Sequence, residues 1–137
     1  MKRKVYSIII LFVLTTMVFY SCKKDNTVQD LTVTRNDYLG SWDGTEVPVA
    51  KNQTFICDIS ADPNVSSNIK MLKFANIAGT AYAVVSGTNV TIPKQTVGIN
   101  TIEGYGTMQN KSYITWHYYV NDGADSLVYN TTFNKRP

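Results

Sequence analysis

The chain has 137 residues, with 13 basic side chains, 10 acidic ones and a single histidine. That length allows one modest hydrophobic core and no second domain once a leader is set aside. One histidine and two cysteines leave zinc without a ligand set. The formal excess of positive charge sits in Lys2, Arg3 and Lys4, so no basic field remains elsewhere for a nucleic acid.

Those three charges open a leader. Residues 5–20 run almost wholly apolar, interrupted by Ser7, Thr15 and Thr16, which is the layout of a signal peptide. The run is shorter than the roughly 20 residues of a membrane span, and it ends at a small residue followed by a cysteine. The stretch Phe19-Tyr20-Ser21-Cys22 resembles the lipobox of bacterial lipoproteins. That resemblance implies cleavage after residue 21 and acylation of the Cys22 thiol and its new amino group. The following Lys23-Lys24-Asp25 is similar to the opening of lipoproteins from the Bacteroidetes group, where such charges direct display on the outer face of the outer membrane. The implied location is the outer membrane, lipid-anchored and facing the periplasm or the outside. Several acyl chains matter here, because one chain alone gives only marginal binding. Without the leader, 116 residues remain, with 10 basic and 10 acidic side chains.

Residues 22–36 are polar and keep no period of 2 or 3.6, so they read as the lipidated cysteine and a tether. The domain is expected over 37–137. Its residues fall into short runs rich in Thr, Val, Ile and Tyr, the types that suit a pleated, half-buried surface. The predicted strands are 40–49, 53–60, 68–77, 80–86, 89–93, 96–109 (bent at its glycines), 111–121 and 126–135. Turn chemistry separates them at Asp62-Pro63-Asn64, Gly87-Thr88, Asn110-Lys111 and Asn121-Asp122-Gly123. No sustained helical stripe appears. Even spacing and tight turns predict an all-β fold, an antiparallel sandwich or barrel.

Facing is clearest in 111–121. Ile114, Trp116, Tyr118 and Val120 share the more apolar face and are expected inside. Tyr113, Thr115, His117 and Tyr119 then point outward. Gly98, Gly104 and Gly106 mark where the sheet is expected to curl. Cys57, flanked in alternation by Phe55 and Ile59, reads as a small buried hydrophobe. With Cys22 taken by lipid, it has no disulfide partner.

Gly40-Ser41-Trp42, at the start of the first strand, resembles the opening of lipocalin-type barrels. There a tryptophan plugs the closed end, often against an arginine from the last strand; the resemblance gives Trp42 and Arg136 those barrel-closing parts. Segments 50–60, Asn68-Ile69 with Phe74, 90–96, Gly104-Tyr105-Gly106 and 114–122 extend the likeness to small lipocalin-like lipoproteins of Bacteroidetes. The implied fold is an up-and-down meander closing into a barrel, or flattened barrel, of about eight strands. Full lipocalins are longer and carry a lid loop, and small barrels often fill their own interior. The resemblance therefore brings a fold and a location, without a ligand.

The chemistry is sparse. His117 has no Gly-x-Ser-x-Gly elbow to work with. Asp43, Glu46, Asp58 and Glu103, the carboxylates available for glycoside chemistry, read as solvent-facing. The Asn121-Asp122-Gly123-Ala124-Asp125 run falls short of a calcium loop and reads as a turn. No metal or cofactor is expected, and no catalysis. The surplus of aromatics is the suggestive feature: Tyr113, His117 and Tyr119 on one face, near Tyr105 or Tyr129, make a platform for a sugar ring or a partner, against the plainer reading of cross-strand pairing. Asp125-Ser126-Leu127 resembles the O-glycosylation site of exported Bacteroidetes proteins, with Ser126 as acceptor. Two roles stay open. One is a lipid-anchored binding protein for a small apolar ligand, a glycan or an envelope protein; the other is an accessory subunit of an outer-membrane or surface complex.

Overall fold

Alternation of side chains organises the whole molecule, as seen in the computed structural model, which describes residues 31–47 and 53–137. The expectations for the leader, for Cys22 and for the start of the tether lie outside the described residues. Eight strands follow in chain order: β1 (Gly40–Val47), β2 (Thr54–Ala61), β3 (Asn68–Leu72), β4 (Thr80–Ser86), β5 (Asn89–Val97), β6 (Asn100–Asn110), β7 (Tyr113–Asn121) and β8 (Ser126–Lys135). Each pairs antiparallel with the next, and β8 returns to pair with β1, so the sheet is a closed eight-stranded up-and-down barrel. Closure satisfies both edges of the sheet, which would otherwise be exposed templates for aggregation.

The expected strands match these in number and order, with three differences of physical interest. The segment expected as 68–77 stops at Leu72, because Lys73, Ala75 and Asn76 take left-handed backbone angles (φ 60°, 54° and 55°). The short 3₁₀ turn Phe74–Asn76 follows and packs against β2, whose residues 54–57 have no β3 partner. Second, β5 does not end at Pro93 but continues to Val97. Proline has no N–H for the ladder, and the register with β6 slips between Ile92 and Gln95. The Gln95 carboxamide fills in for a strand there, accepting from the Tyr82 N–H at 2.9 Å and donating to the Tyr82 carbonyl at 2.7 Å. Third, Gly98 (φ 62°) is a hairpin turn between β5 and β6 rather than a bend within one strand.

The compact unit begins at Leu31, earlier than the expected boundary at 37. Val33 is buried, and Arg35 donates from Nη1 to the Asp62 carbonyl at 3.2 Å, tying this lead-in to the β2–β3 turn. One helical turn, α1 (Arg35–Tyr38), then covers the end of the barrel where β1 starts. Asp37 reaches back to the Thr34 N–H at 2.8 Å. That hydrogen bond, then the Lys111 ammonium 3.0 Å away, hold its carboxyl at a pKa of about 2.

Behind α1 sits Trp42, fully buried, donating from Nε1 to the Tyr38 carbonyl at 2.8 Å. Tyr38 donates to the Gly87 carbonyl at 3.1 Å, on the opposite side of this end. The expected Arg136 partner is not here. Lys135 lies opposite Trp42 in the β1–β8 register, places Nζ 5.2 Å from the ring centroid and donates to the Asp37 carbonyl at 2.9 Å. Arg136 falls on the other face and meets exposed Asp43 at 3.4 Å. The reason is parity, since Phe133 and Lys135 share the inward face of β8.

The middle of the barrel is solid. Phe74 comes in from its 3₁₀ turn and packs edge-on to Trp116 (5.1 Å between ring centres) and Tyr118 (4.8 Å), with Phe133 at 5.9 Å. Burying one such ring contributes about 1.5–3 kcal/mol, and the tilted contacts add to that. Cys57 is buried in the same core, and burial pushes its thiol pKa up, so it is poorly disposed to form the nucleophilic thiolate.

Candidate functional site at the barrel mouth

Among the described residues, no α-helix covers the end opposite α1 as α1 covers the first. This end carries the turn after β3, the turns β5–β6 and β7–β8, and the upper ends of β1 and β2. A cavity of about 190 Å³ lies there, with Glu46 as its most enclosed polar group. Strand parity puts Glu46 inside: Trp42, Gly44 and Glu46 share one face of β1, and the residue is only 6 % exposed. This corrects the expectation that Glu46 faces solvent. The other three carboxylates grouped with it, Asp43, Asp58 and Glu103, are exposed as expected.

Glu46 is held by a directed chain of hydroxyls. Thr131 donates to the Tyr118 hydroxyl at 3.1 Å, and Tyr118 donates to Glu46 Oε1 at 3.2 Å. Tyr129 stacks on Tyr118, with ring centres 5.4 Å apart and planes 18° from parallel. Burial pushes the Glu46 carboxyl up from the ordinary carboxylate range, opposed by the Tyr118 hydrogen bond, which favours the ionised form. Burial likewise raises Tyr118 and Tyr129, keeping both as hydroxyl donors at neutral pH. The remaining polar wall is Gln53, Asn76, Asn100, Asp122 and Asp125; Ile77, Val120 and Leu127 supply the apolar part.

The direction of the Glu46 shift has a measurable consequence. A carboxyl whose folded pKa lies above its unfolded value adds stability that is fully present below the unfolded value and is lost as pH rises through the folded one. Glu46→Gln keeps an acceptor for Tyr118 and removes the charge. The variant is expected to melt a few degrees higher than the parent at neutral pH, with the gap closing below pH about 4. Melting curves across pH check this, and a pH-independent gap would mean that charge burial is not the cause. Among the described residues, the other ionisable groups at this end, Tyr118, Tyr129, Asp122, Asp125 and Lys73 in the turn after β3, are common to both proteins.

The β7–β8 turn is built as a turn. Asn121 Oδ1 accepts from the Gly123 N–H at 2.8 Å, and Asp122 Oδ1 accepts from the N–H groups of Ala124 (2.9 Å) and Asp125 (2.8 Å). These bonds lower the Asp122 pKa. Among the described residues, no group of three or more His, Cys, Asp or Glu is placed to hold a metal ion. Ser126 is exposed at the start of β8, and its Oγ accepts from Asn121 Nδ2 at 2.7 Å.

Of the four aromatic-face candidates, the fold brings two together. Tyr105 and His117 are cross-strand partners on the outer surface with ring centres 5.3 Å apart, and Tyr105 is 58 % exposed. His117 Nδ1 is 2.8 Å from Asn130 Oδ1 on β8. Tyr113 and Tyr119 share that face of β7 but lie toward its two ends, both half-buried. Tyr129 belongs to the interior, as the register partner of Tyr118. A broad groove of about 550 Å³ also opens outside β1 and β2, along Asp43, Thr45, Thr54 and Ile56.

No family model matches the chain, and no curated protein matches it. Two solved structures are similar in fold. One is EF1p2_mFAP2b bound to DFHBI, at 16% identity and TM-score 0.55, covering 74% of this chain and 95% of its own. The other is a redesigned β-barrel, at 14% identity and TM-score 0.55, covering 77% of this chain and 99% of its own. At such identities they establish the small β-barrel architecture.

Proposed function

We propose that this chain is a lipid-anchored, non-catalytic binding protein of the bacterial envelope, a small lipocalin-like lipoprotein of the Bacteroidetes type that takes a small ligand into its barrel mouth. The observation that carries the reading is the open cavity over Glu46, at one end of an otherwise filled barrel. At about 190 Å³ it is smaller than the 300–1,000 Å³ of drug-sized sites, so the ligand has few heavy atoms. Its largely polar wall favours a polar ligand over the apolar one expected from the fold resemblance. That EF1p2_mFAP2b binds DFHBI supports the use of such a barrel for a small molecule.

Leu127→Trp places an indole across the mouth from an exposed position that lines it. In a thermal-shift panel of small cations, anions and neutral polar compounds, at least one class is expected to stabilise the parent. At 100 times the dissociation constant the gain is about 2.7 kcal/mol, and it should vanish in Leu127→Trp. A panel in which no class stabilises the parent overturns the reading.

The anchoring half of the proposal stands on Cys22. Cells fed labelled palmitate should incorporate label into the parent and not into Cys22→Ser, which should leave the membrane fraction, because acyl chains supply the membrane affinity. Label persisting in Cys22→Ser would remove the lipoprotein assignment. One feature favours the second role, an accessory subunit acting through protein contacts: the exposed Tyr105 ring beside His117. A stoichiometric partner that co-purifies with the parent and is lost with Tyr105→Ala would support it.

A further inference from the structure

We infer that the mouth of the barrel is a site for a small organic cation, whose ammonium group is held by the Glu46 carboxylate beside the ring of Tyr129. The inference rests on the mouth being a binding site and names the chemistry it selects. Charge is the first argument. The polar wall consists of the carboxylates Glu46, Asp122 and Asp125 and the carboxamides Gln53, Asn76 and Asn100, with no Lys, Arg or His among the described lining residues. An anion would meet like charge at close range, whereas a cation meets the opposite sign.

The second argument is the state of Glu46. It is more than nine-tenths buried, yet the described residues give it one side-chain donor, the Tyr118 hydroxyl on Oε1. That hydroxyl already accepts from Thr131, so its hydrogen is committed to Glu46 and the donor chain ends there. Oε2 has no donor among the described residues, while the residue lines the cavity. Trp116 Nε1, and not Oε2, is the fully enclosed side-chain polar atom without a partner among the described residues, so Oε2 is open to the cavity. An N⁺–H donor arriving from the cavity reaches it with a charge-assisted hydrogen bond, roughly twice as strong as a neutral one.

Geometry narrows the class. Asp122 Oδ1 is engaged by the N–H groups of Ala124 and Asp125, and its charge adds negative field at the rim. Among the described residues no three acidic or soft ligands are placed to hold a metal ion, which favours an organic cation over a metal. Tyr129, stacked on Tyr118, presents an aromatic wall beside the carboxylate, and such a ring attracts a cation as well as an alkyl stem. Carboxylate, ring and the apolar wall of Ile77, Val120 and Leu127 suit a short-chain primary amine.

The test uses the full chain in detergent with three probes of nearly equal size: n-butylammonium, 1-butanol and butyrate. Titration calorimetry with the parent should show saturable binding of n-butylammonium and none of the other two. Binding should weaken at least ~10-fold in Glu46→Gln, whose circular dichroism should match the parent. Retained n-butylammonium affinity in a folded Glu46→Gln overturns the inference. So does binding of 1-butanol or butyrate that Leu127→Trp abolishes, although the mouth then remains a binding site. If none of the three probes binds, the inference falls, while the thermal-shift panel with Leu127→Trp decides separately whether the mouth binds any other solute.

Discussion

Phe74→Ala is expected to lower the unfolding free energy by about 3–5 kcal/mol, the usual cost of emptying a buried phenylalanine site. The ring is 2 % exposed and touches Trp116, Tyr118 and Phe133. It occupies the middle of the barrel without belonging to any strand. Its three ring neighbours are fixed on β7 and β8 by ladder hydrogen bonds, so they have little freedom to collapse into the vacated space. Total stabilities of small domains are about 5–15 kcal/mol, so one ring carries a large share. The melting temperature should fall by more than about 12 °C, and the urea midpoint should drop with little change in slope. Ile99, which is 82 % exposed, is the control, and its alanine variant should stay within about 0.5 kcal/mol of the parent. Equal effects at the two positions would show that Phe74 is not the plug.

Gly104→Ala should be comparably damaging for the opposite reason, since there is no room. A Cβ at Gly104 would stand 2.5 Å from the His117 carbonyl oxygen and 2.6 Å from Tyr118 Cα. Those atoms are backbone of the strand that pairs with it, Gly104 being the register partner of Tyr118, so no rotamer change relieves the clash. At Gly106 the obstacle is instead the ring of Trp116, at 2.7 Å. Overpacking of this kind costs about 1–3 kcal/mol when side chains can adjust, and a backbone obstacle puts Gly104→Ala at or above the upper figure. Equilibrium unfolding in urea measures it; a loss below about 1 kcal/mol would mean that β6 and β7 separate here more easily than their register suggests. The clash also explains why β6 carries glycines at two inward positions, opposite the bulge at Pro93 in the case of Gly104. Of the three glycines expected to mark a curl, Gly104 pairs with Ile92 at the edge of the β5 register slip and Gly98 serves as a turn.

Much of the architecture follows from a period of two. In β7, Ile114, Trp116 and Tyr118 are buried and His117 is exposed, as the alternation of apolar and polar types demands. The same rule held information that composition obscured. Counting from Trp42 puts Glu46 inside, and counting back from Lys135 through Phe133 puts that lysine, not Arg136, against Trp42. Glu46 escapes a reading in which a charged side chain seeks water, and Lys135 one in which the resemblance gives its part to Arg136; a barrel end lets an inward charge reach solvent or a partner. Phe74 was illegible for a different reason. Alternation from Ile69 and Met71 would send Phe74 outward, and one left-handed residue, Lys73, reverses the sense. Lysine gives little local warning of that conformation, which glycine, asparagine or aspartate more often adopts. The chain of hydroxyls from Thr131 through Tyr118 to Glu46 joins β8, β7 and β1 across 85 positions of sequence, and no local pattern announces it.

An even number of strands has a directional consequence. A meander of eight returns its chain to the pole from which it set out: the Arg136 N–H donates to the Ser41 carbonyl at 3.0 Å, next to where α1 leads into β1. Both ends of the described domain therefore meet the barrel at its plugged pole. The described barrel resembles a cup with both handles at its base. Leu31 and Pro137 both join that base, and the rim with Glu46 is at the far pole of the described barrel. A solid support or accessory domain joined at Pro137 should therefore leave the rim open to solute.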